Sequence, residues 1–254
     1  MRKLSCVIIC RCSAKLVSAD VFDLIMNGLI SYDVDIHELD DLCAISLNEK
    51  NILKDIAANY RQKIVIACFP RAVKSILEQG EIDLGDFRVL NFRELSAEQI
   101  LSVIRTDFNI PAGNPYHYVH TSGLSVPAWY PVVDSSRCSL CGKCAGFCLF
   151  GVYKFDKKSL RVVNPLSCKN NCPACGRICT ESAIIFPRWP ETSVLSGAEP
   201  GNETKAEDQE KLIYQLKERN RKRKIIFREG FINKVKEDHL KAIESLNKGS
   251  ENNE

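Results

Sequence analysis

Eight of the thirteen cysteines, Cys138, Cys141, Cys144, Cys148, Cys168, Cys172, Cys175 and Cys179, crowd into 42 positions, and nothing else in the chain constrains its fold as strongly. Thiols at this density either pair as disulfides or hold metal. A secreted disulfide scaffold needs an export signal. Met1-Arg2-Lys3 leads only into the short apolar stretch Cys6 to Cys10, below the roughly 7–15 residues of a signal core. No stretch approaches the ~20 apolar residues of a membrane span. The expected setting is therefore cytoplasmic, where thiols stay reduced and clustered cysteines bind metal.

The spacing narrows the metal. In Cys138-x2-Cys141-x2-Cys144-x3-Cys148, three tightly spaced thiolates can cap three corners of an iron–sulfur cube, and the fourth lies too far round the next turn and reaches a neighbouring cube. A second run follows, Cys168-x3-Cys172-x2-Cys175-x3-Cys179. A shift of 31 residues superposes Cys141, Cys144 and Cys148 on Cys172, Cys175 and Cys179, so the segment is an internal repeat. Crossed ligation then gives Cys138, Cys141, Cys144 and Cys179 to cluster one, and Cys148, Cys168, Cys172 and Cys175 to cluster two. Structural zinc is the rival, but it usually takes two well-separated Cys-x2-Cys pairs. Residues 152–163 read as a hairpin around Asp156-Lys157-Lys158-Ser159, supplying apolar cover for the cubes.

These residues resemble a bacterial-type ferredoxin domain binding two [4Fe-4S] clusters, over about fifty residues from Ser136 to Phe186. The resemblance implies an α+β fold, two cubes as cofactors and one-electron transfer. Leu149 and Thr180 stand where that family usually has proline after the last cysteine of each run.

The first third has an α/β rhythm. Leu4 to Cys10, Asp33 to His37, Lys63 to Cys68 and Phe87 to Phe92 read as strands. Helices are expected over Ala19 to Ile30, from a capping box at Ser46-Leu47-Asn48-Glu49 to about Tyr60, from Pro70 to Gln79, and from Ser96 to about Arg105. This alternation predicts a small parallel sheet with helices on both faces. Cys10, Cys12, Cys43 and Cys68 then fall near the carboxyl ends of strands, where open α/β sheets gather ligands. They are either a third metal or cluster site or small buried hydrophobes; Cys6, in mid-strand, reads as core. The segments Ile9-Cys10-Arg11-Cys12, Cys43, Val65 to Arg71 and Asn91 to Glu94 are similar to the N-terminal domain of the flavin-binding subunit of heterodisulfide reductase, which implies one further [4Fe-4S] cluster. No G-x-G-x-x-G turn occurs, so no flavin is expected in this chain.

The fold class is thus an α/β N-terminal domain over residues 1–106, a connector over 107–135, a two-cluster ferredoxin-like domain over 136–188, a linker over 189–204 and a charged helical tail over 205–254. Apolar residues make up 45% and charged residues 26% of the 254, which excludes disorder as the main state, and a net charge of +3 is too near neutral for a general nucleic-acid binder. Lys211 to Arg228 is locally basic. His117-x2-His120 offers only two imidazoles for a zinc site, and Asp40-Asp41 reads as a solvated loop pair. The functional expectation is an electron carrier or oxidoreductase subunit with a redox partner protein, rather than a stand-alone enzyme. The competing class is a redox-sensing or regulatory protein whose clusters are structural and whose basic tail binds nucleic acid or a partner.

Overall fold

The structure, a computed structural model, describes residues 4–201. The expected basic tail lies outside the described residues. The described residues up to Glu199 cluster as one compact unit.

Five parallel strands form the main sheet: β1 (Ser5–Cys10), β2 (Asp35–Leu39), β3 (Gln62–Ala67), β4 (Phe87–Asn91) and β5 (His117–His120), in the order β4-β3-β1-β2-β5. The helices between them are α1 (Ala19–Leu29), α2 (Leu42–Asn48), α3 (Lys50–Asn59), α4 (Pro70–Gln79) and α5 (Ala97–Asp107). β1 and β3 are nearly continuous apolar runs because a central parallel strand is covered on both sides. Right-handed crossovers place α1 and α5 on one face and α2, α3 and α4 on the other. The packing of α1 on α5, and of α2 on α3 and α4, agrees. The chain leaves β1 in one direction and returns past it to β3, so the topological switch point lies between the carboxyl ends of β1 and β3.

The parallel α/β sheet follows the sequence reading, with three local differences. β2 starts two residues later than expected. The helix expected from Ser46 begins earlier, at Leu42, where the Asp41 carboxylate accepts from the Cys43 and Ala44 amides at 2.8 and 3.3 Å. Ser46 lies inside α2 and donates to the Cys43 carbonyl, and the helix breaks at Glu49 (φ −128°, ψ 38°) before α3. Asp41 thus supplies the N-cap that the Ser46 motif only mimics. The third difference is β5, which falls in the stretch read as an irregular connector. Its pattern H-Y-V-H is mostly exposed, so no apolar run marks it. Ser96 does cap α5 as read: its hydroxyl accepts from the Gln99 amide and the Gln99 side chain accepts from the Ser96 amide.

The cysteine-dense segment carries two short antiparallel pairs. β6 (Val132–Val133) pairs with β9 (Ile184–Ile185), and β7 (Tyr153–Phe155) pairs with β8 (Leu160–Val162). The β7–β8 hairpin turns at Asp156, whose carboxylate accepts from the Lys158 and Ser159 amides. Two helices, α6 (Lys143–Phe147) and α7 (Ala174–Arg177), lie in equivalent places.

This segment is joined to the sheet domain by buried polar groups. Arg71, at the start of α4, donates to the Asp134 carboxylate at 2.9 Å and to the Ser182 and Ala198 carbonyls at 2.7 Å each. The Tyr130 hydroxyl donates to the Cys43 carbonyl at 2.7 Å. Residues 193–198, within the stretch read as a linker, also pack on the body: the Leu195 carbonyl accepts from the Phe186 amide, and Gly197 lies against Ala72 and Phe69, where a Cβ would collide.

Candidate functional site

The repeat seen in the cysteines is repeated in the backbone. A 31-residue shift carries the start of α6 onto the start of α7 and the start of β7 onto the start of β9. The same shift relates residues with left-handed backbone, Leu140 (φ 53°) to Asn171 (φ 59°) and Gly151 (φ 64°) to Ser182 (φ 52°). Non-glycine residues hold this region only when their surroundings enforce it. Each half therefore builds the same loop, with its second cysteine next to a left-handed residue and its third inside a short helix. Gly142 (φ 72°) adds a further left-handed residue in the first half, where the Phe155 ring leaves no room for a Cβ.

Two cavities result. One is lined by Cys138, Cys141, Cys144 and Cys179, under Leu160 and Ile184. The other is lined by Cys148, Cys168, Cys172 and Cys175, under Phe147, Val152 and Tyr153. Each wall thus takes three thiols from one half and one from the other. Among the described residues no three His, Cys, Asp or Glu side chains are grouped as ligands of a single metal ion. Thiols spread around a cavity wall suit a larger body.

The sulfurs receive hydrogen bonds suited to a cluster. The Tyr153 hydroxyl donates to Cys175 Sγ at 3.1 Å, and the Ala183 amide to Cys179 Sγ at 3.3 Å. Burial, then neighbouring thiols, pushes the Cys144 thiol up to about 11 and the Cys168 thiol up to about 12. Four thiolates could not share such a cavity unaided; a cationic core would supply the missing compensation. The donor set suits an iron–sulfur group; the cavity at Cys148 measures about 440 Å³ and the one at Cys138 about 20 Å³.

A third group stands in the sheet domain. Cys10 ends β1, Cys68 follows β3, Cys12 lies in the loop after β1, and Cys43 opens α2. Cys10 and Cys68 stand at the switch point, and the charges of Cys12, Cys43 and Cys68 act on one another. Cys10 and Cys12 are hydrogen-bonded, which together with burial raises Cys10 and, against burial, lowers Cys12 to about 7. Burial raises Cys68 to about 12, with the Cys12 charge adding to it, and Cys43 rises for the same chief reason with Cys68 nearby. The Leu42 amide donates to Cys10 Sγ at 3.3 Å. Cys6 is fully buried in β1, as the core reading expects.

Side chains that the sequence did not flag surround this group. Asp41 is 3% exposed, not a solvated loop residue, and besides capping α2 it pairs with Arg188 at 3.3 Å and accepts from Ser13. Arg93 sits over the Phe69 ring and donates to the Trp189 and Pro190 carbonyls. Its positive charge faces Cys68 and Cys12. Arg93 lies in the Asn91 to Glu94 segment that carries a family resemblance, and Asp41 reads only as a solvated charge; neither signal names partners more than ninety positions away.

His117 and His120 do not converge. Three positions apart on a strand, they face opposite sides. His117 meets the Glu38 carboxylate at 2.9 Å, while His120 Nε2 meets His37 Nδ1 at 3.0 Å.

A 61-residue stretch, 24% of the chain, is 48% identical to an uncharacterized ferredoxin of Methanocaldococcus jannaschii. The chain spans 42% of that relative's length. No family model and no solved structure matches the chain.

Proposed function

We propose that the protein is an iron–sulfur electron-transfer protein, a carrier or a subunit of a larger oxidoreductase. In this reading Cys138, Cys141, Cys144 and Cys179 hold one [4Fe-4S] cluster, and Cys148, Cys168, Cys172 and Cys175 hold a second. One observation carries it: each of two cavities is lined by four thiols drawn from both halves of a repeat. Similarity to a ferredoxin over 61 residues supports the same class. Bound clusters supply reversible one-electron chemistry. The chain's own part is to bind, shield and tune. Val152, Ile184 and Phe186, all buried, exclude water, and Tyr153 and the Ala183 amide donate to ligand sulfurs. No side chain is assigned to acid–base or nucleophilic work.

Cys10, Cys12, Cys43 and Cys68 are proposed as ligands of a third [4Fe-4S] cluster. The interactions among these four thiols support this, as does the resemblance of their flanking segments to the N-terminal domain of the flavin-binding subunit of heterodisulfide reductase. Cys168, a proposed ligand of cluster two, packs against the same buried cluster that contains Cys10, Cys43 and Cys68.

Coulometric titration of anaerobic protein, followed by electron paramagnetic resonance, tests the proposal. Within the range of about −700 to +450 mV open to such clusters, the chain should take up at least about two electrons and develop paramagnetic signals on reduction. No electron uptake in that range would overturn it.

A further inference from the structure

The turn after α6 leaves an apolar patch in water. Leu149 is 92% exposed, Phe147 52% and Phe150 43%. Single exposed apolar residues are ordinary, but three within four positions make a contact surface. The same three side chains line the cavity that holds Cys148, Cys168, Cys172 and Cys175. A protein seated on them would stand directly over that group of thiols.

The net charge of the segment that bears the patch says what kind of protein fits. Residues 136–188 contain nine lysines and arginines against two acids, a local +7, whereas residues 1–135 contain thirteen against seventeen, a local −4. Lys143, Lys154, Lys157, Lys158, Arg161 and Lys169 are all exposed. An apolar patch carried on a basic segment is complementary to an acidic partner and disfavours a basic one.

We propose that Phe147, Leu149 and Phe150 form the docking face for an acidic one-electron redox protein, which exchanges electrons with the chain at the cavity bounded by Cys148. This rests on the electron-transfer reading above and adds to it the partner's chemistry and the point of exchange. The step is a single-electron transfer: the donor is oxidised by one electron, the chain is reduced by one, and no bond is made or broken.

Stopped-flow oxidation of reduced flavodoxin, an acidic one-electron donor, by the full-length holoprotein tests the proposal. Reduced methyl viologen serves as a small-molecule control, and oxidation of the reduced holoprotein by oxidised cytochrome c as a basic protein probe. With flavodoxin, the second-order rate constant should fall about tenfold or more from low to high ionic strength, as expected for attraction between opposite charges. Leu149→Glu should slow flavodoxin at least about tenfold more than it slows viologen; Lys169→Glu should flatten the salt dependence. Both positions are exposed, so neither change removes a buried contact. A flavodoxin rate that is indifferent to Leu149→Glu, or that rises with salt, or a cytochrome c rate that falls with salt, would overturn the docking proposal. Loss of viologen oxidation by the unaltered protein would instead overturn the electron-transfer reading.

Discussion

Cys148→Ala is expected to remove about four iron atoms per chain, and to remove them from the site built mainly by the other half of the repeat. Cys148 closes the first run in sequence, yet its thiol lines the same cavity as Cys168, Cys172 and Cys175. Crossed ligation makes a specific claim about double variants. Cys148→Ala combined with Cys172→Ala should lose no more iron than Cys172→Ala alone, because both empty one site. Cys148→Ala combined with Cys141→Ala should lose about eight atoms, because Cys141 lines the other cavity. Additive losses signal separate sites, and a shared loss signals one. Uncrossed ligation reverses the two outcomes. Iron analysis of the four variants, purified anaerobically, decides between them.

Arg71→Met is expected to destabilise the protein by about 3–5 kcal/mol, the cost of leaving a buried charge without its partner. Arg71 and Asp134 side chains are 8% and 11% exposed and meet at 2.9 Å. The same guanidinium holds the Ser182 and Ala198 carbonyls, so one side chain secures three points of the cysteine-bearing segment to α4. Such a loss is a large part of the 5–15 kcal/mol that stabilises a typical domain. Burial alone would raise the Asp134 carboxyl, but the Ser136 hydroxyl and Arg71 overcome it and lower the net value. A carboxyl depressed in the folded state contributes stability above its unfolded pKa, and that contribution is lost as pH falls through the folded value. Urea unfolding should therefore show Arg71→Met weaker than the parent near neutrality, with the gap closing in acid. The double change Arg71→Met with Asp134→Leu should recover part of the loss, since no lone charge remains. A deficit below about 1 kcal/mol for Arg71→Met would show that the pair does not tie the segment down.

What the sequence made legible follows from the range over which each signal acts. The cysteine loops were readable because each run carries its own spacing, and the 31-residue offset between them reappears in the left-handed residues at 140 and 171 and at 151 and 182. The capping box at Ser96 was readable because all its groups lie within four positions. The same pattern at Ser46 misled, because Asp41 caps the helix one turn earlier and Ser46 instead lies beside the Tyr130 hydroxyl, at 3.1 Å. β5 was missed because an edge strand with an exposed pattern gives no apolar run; only its pairing with β2 defines it. Arg71, Arg93 and Arg188 were not legible as site-building residues. Their partners lie 63 to 175 positions away, and a lone arginine in sequence does not say which carboxylate, carbonyl or hydroxyl it will reach. The Cys10, Cys12, Cys43, Cys68 group lay between these cases. Its members are scattered, but the βα order alone places them near one edge of the sheet.

Iron and acid-labile sulfide per anaerobically purified chain test the account most directly. About twelve of each is the expected result, eight from the paired cavities and four from the thiols of the sheet domain. About eight of each would leave that last quartet as plain buried thiols. Stoichiometric zinc without sulfide would contradict the account at its centre.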